Sequence, residues 1–97
     1  MPSAYILANI TVTNPEQYEE YKKLSSLAMK AHGVEVCIRG GQVELLEGDW
    51  TPDRVVLLKF PSVEAARKFN DSVEYGAARQ SRQGAAHMRM VLIEGAG

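Results

Sequence analysis

With a single cysteine, Cys37, the chain cannot form an internal disulfide. Small secreted domains usually rely on such staples, so a reducing cytoplasm is the expected compartment. Long apolar runs are also missing, and none approaches the roughly 20 residues that cross a bilayer. Residues 1–12 have neither a basic start nor an extended apolar stretch, so neither a secretory signal nor a membrane partner is expected. Charge of one sign is not in excess: the formal net charge is -1. Proteins that grip nucleic-acid phosphates carry a basic surplus, so nucleic acid is not an expected partner. Arg79, Arg82 and Arg89 do gather late in the chain, but Glu74 and Glu94 flank them.

Reactive motifs are equally sparse. The only histidines, His32 and His87, stand at no metal-ligand spacing, and Cys37 has no neighbour with which to share an ion. No metal and no cofactor is expected. Ser25, Ser26 and Ser81 lack the glycines of a nucleophile elbow. Gly40-Gly41 does not open a helix, so it is no phosphate loop, and the pair reads as backbone geometry. Cys37 on a strand reads as a small buried hydrophobe.

What is present is an ordinary globular composition, 45% apolar and 24% charged. The 97 residues suffice for one core and show no repeat or linker, so residues 1–97 are expected to form a single domain. Ala4 to Val12 alternates as a strand, with Ile6, Ala8, Ile10 and Val12 on one face and Tyr5, Leu7, Asn9 and Thr11 on the other. Asn14 caps a helix, Pro15 suits its first position, and Gln17 can complete a capping box. That helix is predicted to reach about His32, with Gly33 as a left-handed cap. Val34 to Ile38 is a second strand. Gly40-Gly41 interrupts it and Val43 to Glu47 resumes the alternation. One long bent strand is the favoured reading and two short hairpinned strands the alternative. After the loop Gly48 to Asp53, Arg54 to Phe60 forms the next strand. Ser62 caps a helix through Ala65, Ala66 and Phe69, and Asp71-Ser72 starts another over Val73 to about Arg82. Met88 to Glu94 is the last strand, and Gly95-Ala96-Gly97 should fray.

This order matches an α+β, ferredoxin-like βαββαβ antiparallel sheet with helices on one face. The helices can cover only that face, yet β positions on both sides are apolar. Tyr5 and Leu7 oppose Ile6 and Ala8, and Val55 and Leu57 oppose Val56 and Leu58. Met90 and Leu92 oppose Val91 and Ile93. A sheet with one wet face alternates cleanly, so a second copy packed sheet to sheet is expected.

Among groups able to do chemistry, His87 and Tyr75 are the proton-transfer candidates. Arg39, Glu47, Asp49, Trp50 and Arg54 can build one wall of a pocket. Tyr75, Arg79 and Arg82 share a helix face and can build the other. Arginine forks fit carboxylates, and tryptophan supplies a flat apolar contact. The ligand-binding candidates are therefore Arg39, Trp50, Arg54, Tyr75, Arg79 and Arg82. The competing reading pairs Arg39 or Arg54 with Glu47 or Asp49 and uses Trp50 to seal a dimer. Asn9, Lys59 and Arg89 add polar groups along the sheet.

From Arg39-Gly40-Gly41 onward the chain resembles the domain-of-unknown-function 1330 family. The resemblance runs through Leu46-Glu47-Gly48-Asp49-Trp50, Pro52, Arg54, Phe60-Pro61-Ser62, Glu64-Ala65-Ala66, Phe69, Ser72, Glu74-Tyr75, Arg79, Arg82 and Glu94-Gly95. The start, Ala4-Tyr5-Ile6 with Asn14-Pro15-Glu16 and Tyr18, fits as well. The resemblance implies a dimeric α+β barrel and no particular activity. Where members often carry a second aromatic this chain has Asn70, which implies a larger or more polar pocket if that aromatic lines one in relatives, and where they carry a helix-opening proline it has Val73. Three functions stay open: a binder of a small organic acid or aromatic metabolite, a cofactor-independent isomerase or monooxygenase, and a structural dimer without a small-molecule site.

Overall fold

Alternation in the first segment has the predicted consequence. β1 (Ala4–Val12) buries Ala4, Ile6, Ala8 and Ile10 and leaves Tyr5, Leu7 and Asn9 half-buried on the other side. The computed structural model describes residues 2–96. β1 is followed by α1 (Pro15–Ala31), β2 (Glu35–Arg39), β3 (Arg54–Phe60), α2 (Val63–Asn70), α3 (Val73–Ser81) and β4 (Ala86–Glu94). The strands form one antiparallel sheet in the order β2-β3-β1-β4, so β2 and β4 are its edges. The fold is ferredoxin-like α+β, as the element order predicts.

The helix starts follow their caps. The Asn14 side chain accepts the Gln17 N–H at 3.1 Å. Gln17 does not close the capping box, because the Asn14 N–H it would serve already donates to the Ala85 carbonyl at 3.0 Å. Its amide instead donates to the carbonyls of Ser81 and Gln83, at 3.1 and 2.7 Å, tying the start of α1 to the end of α3. At the other end Gly33 takes φ 63°, and the N–H groups of Gly33 and Val34 donate to Lys30 and Met29. This double closure is the Schellman arrangement that left-handed glycine permits. Ser62 and Ser72 cap α2 and α3 through the N–H groups of Ala65 and Tyr75, both at 3.1 Å.

The core lies between the sheet and the helices. Phe69 is fully buried, with its ring 5.5 Å from that of Phe60 and 5.0 Å from that of Tyr75. Removing it leaves a large cavity, and such truncations cost about 3–5 kcal/mol.

Two expectations are corrected. Val43 to Glu47 is not a strand, and neither a long bent strand nor a hairpin forms. Gly40 turns at φ 68° and donates to the Val55 carbonyl at 2.8 Å, after which the segment meets no neighbouring strand to complete a ladder. Cys37 is exposed, because it sits at an irregularity in β2 and not within the alternation. Smaller differences occur at the end of the chain. β4 begins at Ala86, opposite Val12, and Gly95 is tied by its N–H to the Ser3 carbonyl at 2.6 Å. The fraying expected at Gly97 lies outside the described residues.

The other face of the sheet has no helix. Tyr5, Leu7, Val55 and Leu57 are half-buried there, and Ile38, Val91 and Ile93 are exposed.

Candidate ligand-binding site

Between α1 and the sheet lies a cavity of about 450 Å³. Ligand pockets span roughly 300–1,000 Å³, so a small organic molecule fits it. Ile6, Ala8 and Ile10 of β1 and Val56 and Leu58 of β3 form an apolar floor, with Met88 and Met90 of β4 beside them. Tyr18 and Tyr21 of α1 and Tyr75 of α3 supply the walls. Arg39, Arg54, Lys22 and Lys23 make the solvent side basic, with Glu19 the one acid among the lining residues.

Arg39 reaches this side through the irregularity at Cys37. Val36 stands opposite Leu58 on the buried face, but Ile38 stands opposite Leu57 and Arg39 opposite Val56. The extra residue reverses the alternation, sending Ile38 to the outer face and Arg39 to the cavity. Bulges commonly re-aim side chains at sites in this way. Arg54 sits opposite Ile10 and so shares the cavity face. Its guanidinium lies against Gly40, where a Cβ would stand 2.2 Å from Nη1. Gly40 is required for its positive φ, and its missing Cβ leaves the space that the Arg54 guanidinium occupies.

Some of the site's polar groups are desolvated. Arg54 Nε is buried without a hydrogen-bond partner among the described residues. Burial raises the pKa of Tyr18, and the Arg54 guanidinium beside it pulls the other way. The Tyr21 and Tyr75 hydroxyls are 2.8 Å apart, and that of Tyr75 also lies 3.9 and 3.7 Å from the sulfurs of Met88 and Met90. Burial first, and Tyr75 second, push the Tyr21 pKa far up, so this phenol keeps its proton throughout the neutral range.

The structure brings Arg39, Arg54 and Tyr75 to one cavity. Arg79 and Arg82 stand in a second row behind the aromatic wall. Arg79 lies 5.0 Å over the Tyr75 ring and donates to the carbonyl and Oδ1 of Asn70, both at 2.9 Å. Arg82 lies 5.7 Å over the Tyr21 ring. Trp50 is 63% exposed on the β2–β3 connection, away from the lining residues. His87 is exposed on the outer sheet face opposite Thr11, apart from Tyr75. Glu47 and Asp49 form no ion pair among the described residues, so they do not neutralise Arg39 or Arg54. Asn9, Lys59 and Arg89 belong to the outer face. Asn70 is held by Arg79 and is not among the residues that line this cavity.

Sequence reading missed Tyr18, Tyr21, Met88 and Met90 as lining residues, because their periodicity is that of core. The available signal was chemical: a buried tyrosine hydroxyl needs a polar partner. Among the described residues no three of His, Cys, Asp and Glu come together as metal ligands. The donors at the cavity are arginines, lysines and phenols, a set suited to an organic anion.

The family described as Domain of unknown function (DUF1330) matches residues 3–96. The chain belongs to this family. Among solved structures it is similar to a protein of unknown function from Rhodopseudomonas palustris. That likeness has 24% identity and a TM-score of 0.73, covering 99% of this chain and 84% of that one. It is also similar to a dimeric ferredoxin-like protein of unknown function from Thermobifida fusca, at 14% identity and TM-score 0.65, covering 96% and 91%. A third likeness is to SnoaB, a cofactor-independent oxygenase from Streptomyces nogalater, at 9% identity and TM-score 0.59, covering 96% and 92%. No curated protein matches the chain. These structural likenesses carry the ferredoxin-like fold of this DUF1330 member and nothing about its chemistry.

Proposed function

We propose that residues 1–97 act as one domain, in a cytoplasmic homodimer that binds a small organic acid or aromatic metabolite in the α1–sheet cavity. The observation that carries this reading is the pair Arg39 and Arg54 on the solvent side of a cavity with an apolar floor. Arg54 has a buried Nε with no partner, and neither arginine is neutralised by a carboxylate among the described residues. A ligand carboxylate pairs with the two guanidinium groups, while its apolar body lies over Ile6, Ala8, Val56 and Met90. The exposed apolar outer face supports the homodimer, as does the dimeric relative from Thermobifida fusca.

The test is displacement of anilinonaphthalene sulfonate, an aromatic anion, by benzoate, phenylacetate and longer carboxylates. Arg39→Ala and Arg54→Ala should each weaken the tightest competitor at least about tenfold, since a charged hydrogen bond contributes about 1.5–3 kcal/mol. Unchanged affinities in both variants would overturn the assignment.

A second reading is favoured by one observation, the Tyr21–Tyr75 hydroxyl pair facing the apolar floor. In a cofactor-independent isomerase or monooxygenase, Tyr75 hands on a proton while Tyr21 stays protonated as hydrogen-bond donor. His87, on the far face, stands outside this arrangement. Turnover that survives unchanged in Tyr75→Phe removes Tyr75 from the chemistry. Failure of every aromatic and aliphatic acid to bind leaves the structural dimer.

A further inference from the structure

The connection from β2 to β3 leaves the sheet as an arm, residues 40–53. It is anchored at its two ends: Gly40 donates to Val55, and Asp53 donates to Asn9 Oδ1 at 3.0 Å and accepts from Thr11 Oγ1 at 2.5 Å. Between those ends, no hydrogen bond to the rest of the fold forms among the described residues. Val43, Leu45, Leu46 and Trp50 are nevertheless exposed, Leu46 at 91%. Single exposed apolar side chains are ordinary, but a contiguous run of them marks a contact surface.

The structure also holds a surface that suits this arm. β2 is an edge strand, with one side of its backbone unpaired. Between that edge and α1 runs an open groove with Leu27, Met29, Val34 and Val36 as its apolar part and Lys23, Lys30 and Arg39 as its basic part. The arm has the opposite charge: residues 41–53 contain Glu44, Glu47, Asp49 and Asp53 and no lysine or arginine. An alternating apolar and acidic segment and an apolar groove with basic margins are complementary in both respects.

The arm does not take this place on its own chain: β2 pairs with β3 alone, and among the described residues no hydrogen bond joins residues 41–52 to β2. A second copy can supply the missing strand. Two β2 strands with their arms, run antiparallel about a twofold axis near Gly40-Gly41, place each arm along the other's β2. Ile38 then faces Val43 of the partner subunit, an apolar pair, and Cys37 faces Glu44 of the partner subunit.

We infer that the arm is exchanged between two copies, lying along the partner's β2 edge and filling the groove beside its α1. This rests on the homodimer reading above and deepens it. Arg39 belongs to both groove and cavity, so the incoming arm also completes the rim of the cavity. Each site is then built from two chains.

Cys37, the lone and exposed cysteine, is a native reporter for this arrangement. Directly opposed antiparallel residues have Cα atoms roughly 4.5–5.5 Å apart, within disulfide range. Val43→Cys, Glu44→Cys and Leu45→Cys change exposed or partly exposed positions on the arm, and Lys68→Cys on α2 is the control. After light scattering, each is oxidised gently and run on a non-reducing gel. A covalent dimer from Glu44→Cys, strongest among the three and absent from Lys68→Cys, is the expected result. A dimer by light scattering that cross-links at none of the three overturns arm exchange and leaves the homodimer standing. Cross-linking within one chain overturns it in favour of a hairpin. A monomeric mass overturns both readings.

Discussion

Gly40 occupies a backbone conformation that L side chains resist and also lies under a guanidinium, two constraints on one residue. The left-handed conformation alone costs a side chain about 1–2 kcal/mol. Gly33 has nearly the same φ, 63° against 68°, but open space around its missing Cβ. Gly33→Ala should therefore show only the backbone cost in a urea titration. Gly40→Ala should lose more, and should also weaken anilinonaphthalene sulfonate because Arg54 must move. Equal losses in the two variants, with probe binding intact, would mean that the Arg54 contact does not position the site. The charge of Arg54 was legible in the sequence. Its alignment by a glycine fourteen positions earlier was not, because that contact forms only when β2 and β3 pair.

Elements in this protein are joined at their ends by a few directed contacts. Gln17 ties α1 to the close of α3, and His32, just past α1, meets the Glu74 carboxylate at the start of α3 at 2.8 Å. The His32 ring also stands edge-on to Phe69 at 5.7 Å. The hydrogen bond from His32 is the main reason the Glu74 pKa falls below its ordinary value of 4.5. A depressed carboxyl stabilises the fold above its unfolded pKa, and that contribution is lost as pH falls through the folded value. Wild type should thus exceed Glu74→Gln in thermal midpoint at about pH 5, and the difference should shrink as pH falls through the carboxylate range. A constant offset across that window would show that the carboxylate's charge is not what matters. Helix ends were readable because Asn14, Ser62 and Ser72 act within one turn. The bulge in β2 was not, since an extra residue is defined only against the partner strand.

At the scale of the whole molecule, the decisive feature is a sheet that is apolar on both sides. Leu7 lies at the centre of the outer face, between Leu57 and Val91. If two copies pack there, Leu7→Lys should bury an unpaired charge and shift the mass from twice 10.7 kDa toward 10.7 kDa. A variant that stays dimeric at micromolar concentration would place the interface elsewhere. Circular dichroism matching wild type would show that the protomer itself is intact.

By itself, the sequence determined the strand and helix order, the caps and the two-faced sheet, because alternation, helical spacing and capping are properties of neighbours along a chain. It also carried the family resemblance. Only the tertiary structure decided which charged residues meet. Arg39, Arg54 and Tyr75 share a cavity, whereas Trp50 and His87 are directed elsewhere. Tertiary contacts likewise left Val43 to Glu47 without a ladder, although its alternation is that of a strand. The physical reason is the same in both cases. Side-chain periodicity sets a residue's face within an element, but strand pairing and register determine what that face meets.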